Sequence, residues 1–123
     1  MNNFKSSPDS RRHKRWDIFE YALVTRQNGD APEPAVIVDL SLGGFQARSK
    51  LSYTVGETVI IKISNDDFHS IEVSAEVRYS NQIPGSDLMA TGLRFTPETA
   101  EQRISLVNFL HERFQADIQR LSI

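Results

Sequence analysis

The chain has 123 residues, 39% hydrophobic and 24% charged, the make-up of one ordinary globular domain and too short for two separate cores. It has no cysteine, which excludes disulfide frameworks and thiolate chemistry, and at this length roughly two-thirds of the unfolded surface can be buried without a disulfide or a structural metal. The formal net charge of -2 hides an asymmetry: residues 1–16 carry Lys5, Arg11, Arg12, Lys14 and Arg15 against Asp9 alone, so a basic arm joins an acidic body.

The polar opening MNNFKSSPDS lacks the hydrophobic region of a signal peptide. Apolar runs such as Val59-Ile60-Ile61 fall far short of the roughly 20 residues a membrane span needs, so a cytoplasmic domain is expected. Residues 1–10, broken by Pro8, read as a flexible N-terminal arm, with residues 11–123 as the domain and order beginning near Trp16. Trp16 itself fits a first core aromatic.

Short runs of β-branched and aromatic residues then follow: FEYALVTR from Phe19, AVIVDLS from Ala35, GFQARS from Gly44, ETVIIKIS from Glu57, FHSIEVSAEVRYS from Phe68 and LMATGLRF from Leu88. NGDAPEP from Asn28, Asn65-Asp66-Asp67 and NQIPGSD from Asn81 supply turn residues between them. Ile71, Val73, Ala75, Val77 and Tyr79 recur at period two opposite Glu72, Ser74, Glu76 and Arg78, which predicts one buried face and one wet face. Six strands over about 16–96 with no room for long crossovers point to an all-β, six-stranded antiparallel barrel.

From Thr96 the period changes. Thr96-Pro97 reads as an N-cap and first-turn pair, and Ile104, Val107, Leu110, Phe114, Ile118 and Leu121 recur at helical spacing, predicting one C-terminal helix over about 97–121 that caps the barrel. Leu106 and Phe109 widen its apolar face, which fits a broad core-facing surface or, alternatively, a second contact that makes a homodimer through this helix.

Catalytic and metal chemistry find no support. His13, His69 and His111 have no ligand-spaced partners, so no metal site is expected. Ser41 lacks the upstream glycine of a nucleophile elbow, no phosphate-binding glycine loop occurs, and carboxylates are scattered. Two features remain. Arg11 and Arg15 form an R-x-x-x-R pair whose guanidinium forks can grip phosphate oxygens or a guanine edge. Asp39, Ser41 and Gly44 form D-x-S-x-x-G at the turn between two strands, where a carboxylate can accept from base N–H groups and glycines allow close approach. Each alone also fits a solvated basic arm or an ordinary hairpin turn.

Their joint order is more specific. R-x-x-x-R on the arm, D-x-S-x-x-G after the second strand, V-R-Y at Val77 to Tyr79, T-G-L-R-F at Thr91 to Phe95 and a final helix together resemble the PilZ domain family, from about Arg11 to the helix. The resemblance implies a barrel with a helix across one end and a non-enzymatic bacterial receptor for cyclic di-GMP, with no cofactor. It implies Arg11 and Arg15 on guanine edges and phosphates, Asp39 on guanine N1–H and N2–H, and Ser41 on a phosphate or base edge. Gly43 and Gly44 would keep the turn open under the ligand, Arg12 would stack on a base, Trp16 would shield a bound base if it is not simply the first core aromatic, and Arg78 and Tyr79 lie on a strand where family members place a basic or aromatic residue against the ligand. The arm is expected to order over the ligand and signal to a separate downstream effector protein, in motility or biofilm control. The alternatives are a ligand-independent PilZ-like adaptor and a nucleic-acid-binding barrel; the acidic body and the absence of a basic, aromatic-studded strand face disfavour a nucleic-acid polymer.

Overall fold

The computed structural model describes residues 16–29, 31–64 and 70–121, apart from the side chains of 16–19, 114 and 116–121. The arm with Arg11, Arg12 and Arg15, the Asn65-Asp66-Asp67 turn, His13 and His69 lie outside the described residues. Six strands, β1 (Trp16–Arg26), β2 (Glu33–Leu40), β3 (Gly44–Ser49), β4 (Thr58–Ser64), β5 (Ser70–Gln82) and β6 (Met89–Phe95), precede one helix, α1 (Ala100–Leu121). They close as an antiparallel barrel in the order β1-β2-β3-β6-β5-β4. Among the described residues no helix is long and apolar enough to cross a membrane.

Alternation builds the core. Val59, Ile61 and Ile63 of β4 pair with Ala75, Val73 and Ile71 of β5, so branched side chains from both strands point into the barrel. Ile37 and Leu40 of β2 and Val77 of β5 join them, and each is almost wholly buried. Full burial of such side chains contributes about 1.5–3 kcal/mol each, so inward positions fix the register: a slip by one residue would expose the set.

At the end where β1 finishes and β2 starts, Tyr53 closes the barrel. Its hydroxyl donates to Glu33 Oε1 at 2.8 Å, and the Arg26 guanidinium lies 4.4 Å from the centre of its ring while Arg26 Nε pairs with Glu57 Oε2 at 3.1 Å. Burial, reinforced by the hydrogen bond to Glu33, pushes the Tyr53 phenol well above the ordinary 10.0. The fold therefore holds this proton longer than the unfolded chain does. Its contribution to stability is complete below pH 10.0 and is lost progressively as pH rises above it. Tyr53→Phe is expected to remove this alkaline loss, read as a flatter dependence of the urea midpoint on pH.

The helix covers the opposite end, with Leu106, Phe109 and Leu110 buried in the core. Arg113 pairs with Glu20, a buried carboxylate on the inward side of β1, tying α1 to the first strand. The helix starts at Ala100 rather than at Pro97. Thr96 N–H is taken by Ser74 O at 2.8 Å, so Thr96 prolongs the sheet, and Thr99 caps the helix, its Oγ1 accepting from Gln102 N at 3.0 Å. Gln102 Oε1 reaches back to Glu98 N at 3.0 Å and across to Ser74 N at 3.1 Å. Ser74, on the face that alternation marks as wet, is 0% exposed for this reason: the start of α1 lies on it. A second departure concerns Ile104 and Val107, which are exposed, while Leu110 is buried together with Leu106 and Phe109 as a broad core-facing surface requires.

Candidate functional site

Two register shifts gather polar side chains on one outer face. Between β2 and β3 the pairing passes from Ile37–Ala47 to Asp39–Gln46, leaving Val38 as the extra residue. Between β5 and β6 it passes from Val77–Leu93 to Tyr79–Gly92, leaving Arg78. A third shift falls between Asp17 and Glu20 of β1. A bulge turns every following side chain to the other face. Strict alternation puts Tyr79 inside with Val77; the bulge at Arg78 carries it outside instead, and Ser80 takes the inward position, bonding to Thr91 at 3.0 Å.

The result is a row across four strands in which Asp39 pairs with Gln46, Gln46 with Gly92 and Gly92 with Tyr79. The Tyr79 ring lies directly over Gly92: a Cβ there would stand 2.1 Å from Tyr79 Cε2. Gln46 Nε2 donates to the Tyr79 hydroxyl at 2.9 Å, pinning the ring across the sheet.

The turn after β2 borders this row. Ser41 N donates to Gly44 O at 2.8 Å, and Ser41 Oγ lies 3.2 Å from both the N and the O of Gly44, so the hydroxyl braces the turn from inside. Gly43 O accepts from Phe95 N at 3.1 Å, which docks the turn onto the end of β6. Gly44 also has a packing task. A Cβ at this position would meet Leu93 O at 2.1 Å, so glycine is needed for β3 and β6 to approach each other.

Together these residues line a pocket of about 370 Å³ that includes Asp39, Ser41, Gly43, Gly44, Arg78 and Tyr79, with Gln46, Gly92 and Arg94 also in its wall. That volume lies within the range of small-molecule sites, about 300–1,000 Å³. Arg94 is outward and exposed, and its Nη2 pairs with Glu76 Oε1 at 2.7 Å. All six expected site residues that fall within the described residues thus meet in one place. Gln46, Gly92 and Arg94 lie outside the residues that the sequence motifs mark for the site: Gln46 is two places beyond D-x-S-x-x-G, and Gly92 and Arg94 sit within T-G-L-R-F. Trp16 pairs with Leu40 and Asp17 with Asp39, so the chain enters β1 beside the turn and the pocket. No group of three or more His, Cys, Asp or Glu among the described residues could hold a metal ion.

The model of the PilZ domain family matches residues 9–112. The chain belongs to the PilZ domain family. Among solved structures, the PilZ domain of YcgR from Escherichia coli, solved with c-di-GMP, superposes with a TM-score of 0.67 at 14% identity, over 93% of this chain and 98% of that one. The Bacillus subtilis inhibitor of motility MotI/DgrA gives 0.66 at 19%, over 89% of this chain and 53% of that one. MrkH of K. pneumonia in its apo state gives 0.70 at 14%, over 95% of this chain and 56% of that one. This PilZ chain therefore spans about half the length of MotI/DgrA and MrkH. At these identities the likeness is one of fold. Among curated proteins no sequence matches the chain significantly.

Proposed function

We propose that this PilZ domain is a receptor for cyclic di-GMP. The carrying observation is that Asp39, Ser41, Gly43 and Gly44 of the motif turn meet Arg78 and Tyr79 around one pocket, beside the point where the chain enters β1. The ligand has two phosphates and two guanines, and the residue chemistry answers each. The Asp39 carboxylate accepts from guanine N1–H and N2–H. Arg11 and Arg15, one to five residues before Trp16, supply bidentate donors for phosphates and for guanine O6 and N7, and Arg12 stacks on a base. Five extended residues reach roughly 17 Å from Trp16. Ligand contacts then draw the arm across the pocket and alter the surface presented to a separate effector protein, in control of motility or biofilm formation.

Calorimetric titration of cyclic di-GMP tests this. Wild type is expected to bind with micromolar or lower Kd, and Arg15→Ala to weaken binding by about tenfold to a hundredfold, the equivalent of one lost bidentate guanine contact. Absence of binding to wild type overturns the proposal. Random DNA or RNA retained in a salt-dependent complex that cyclic di-GMP does not displace would favour a nucleic-acid reading, and partner binding indifferent to the messenger would favour an adaptor.

A further inference from the structure

The row formed by Asp39, Gln46, Gly92 and Tyr79 has a neighbour on the same outer face. Two residues further along β3 and β6, a step of about 7 Å, Gly44 pairs with Arg94 and Arg94 with Glu76. Arg94 therefore stands between a residue without a side chain and a carboxylate. It also lines the pocket, where Asp39 is the acidic group and Arg78 and Arg94 are the cationic ones. Among the described residues its guanidinium is held by Glu76 alone, through Nη2 at 2.7 Å, and the two side chains are 54% and 33% exposed. Most of the donor fork is left for another acceptor.

We infer that Arg94 is a ligand contact of this pocket: its guanidinium turns from Glu76 to a phosphate of the entering dinucleotide, and Glu76 sets the affinity by competing for the same fork. The inference rests on the reading of the pocket as a cyclic di-GMP site. An ion pair this exposed is screened by water and contributes little, so exchanging it costs little. Once released, Glu76 remains in contact with water, and no buried charge is left unpaired. The phosphate offers two oxygens to the fork, where Glu76 engages one nitrogen with one oxygen. A bound ligand also displaces water from the pocket, which strengthens the new pair relative to the old one. Asp39, the carboxylate of the same pocket, repels both phosphates of the ligand. Arg94 offsets that repulsion from a folded strand, so its contact requires no ordering of backbone.

Calorimetric titration of cyclic di-GMP into wild type, Arg94→Gln, Glu76→Gln and the double variant tests the inference. Arg94→Gln is expected to raise Kd about tenfold and to make its rise with salt shallower. Its urea midpoint should stay at the wild-type value, because the pair it breaks is an exposed one. Arg94→Lys keeps the charge and loses the planar fork, so its Kd should fall between the two. Glu76→Gln is expected to lower Kd about two- to fivefold, and to change nothing when Arg94→Gln is already present. Equal tightening in both backgrounds would mean that Glu76 acts on the ligand directly, and overturns the competition. Wild-type affinity in Arg94→Gln overturns the contact and leaves the cyclic di-GMP reading in place. A wild type that does not bind cyclic di-GMP removes both.

Discussion

Gly44→Ala is expected to lower the unfolding free energy by about 3 kcal/mol, the upper part of the range for forcing one extra methyl into a well-packed site. The added carbon would stand 2.1 Å from Leu93 O and 3.1 Å from Arg94 Cα. Both are backbone atoms of β6, so no side-chain rotation relieves the clash. Relief requires β3 and β6 to separate, which strains a ladder running from Gly44–Arg94 to Ser49–Met89 and the contact between the Phe45 and Phe95 rings, whose centres are 5.0 Å apart. Urea denaturation would read the loss as a lower midpoint with an unchanged slope. Gly92→Ala makes the contrast: its clash is with the Tyr79 ring, which can swing outwards. That variant is expected to lose only about 1 kcal/mol, because a flexible side chain yields. It surrenders the Gln46–Tyr79 hydrogen bond and with it the pocket floor. Equal losses for the two variants would contradict the placement of rigid backbone over one glycine and a movable ring over the other.

The same two glycines mark where sequence reading reaches its limit. The six strands, the barrel and the final helix follow from period-two and helical spacing, because burial of alternate side chains dominates the choice of element. The D-x-S-x-x-G turn is legible because its residue types are local. The bulges at Val38 and Arg78 are not. Each depends on how one strand meets its neighbours, and no residue type announces it, yet the bulge at Arg78 decides which face Tyr79 occupies. Gln46 enters the site through the same register, opposite both Asp39 and Gly92.

At the helix a genuine periodicity is only partly used by the barrel. Of the described members of the repeat, Leu110 is buried as its spacing asks, whereas Ile104 and Val107 are exposed and Leu106 and Phe109 join Leu110 in the core. Thr96-Pro97 has the residue types of a helix start. Its backbone is nevertheless claimed by β5 through Ser74 O, and the cap moves three residues on to Thr99. In both cases tertiary contact overrode a sound local signal.

Asp39→Ala is expected to weaken cyclic di-GMP binding by about tenfold to a hundredfold, corresponding to about 1.5–3 kcal/mol for hydrogen bonds to a charged group. The fold should survive, because Asp39 faces the pocket on the outer side of β2 while Ile37 and Leu40 carry that strand's core contacts. The expectation rests on the pairing of a carboxylate with two parallel donors, guanine N1–H and N2–H. Adenine has an acceptor at N1 and no N2 amino group, so the same carboxylate opposes it. Two consequences separate base reading from simple charge. Cyclic di-AMP should bind wild type far more weakly than cyclic di-GMP, and Asp39→Ala should narrow that ratio, chiefly by losing the guanine ligand. Asp39→Asn keeps one acceptor oxygen but replaces the other with a donor, and should fall between the two. Competition calorimetry with both dinucleotides on the three proteins would measure this. An Asp39→Ala protein that keeps the wild-type preference for guanine would remove Asp39 from base recognition and leave selectivity to Arg11 and Arg15.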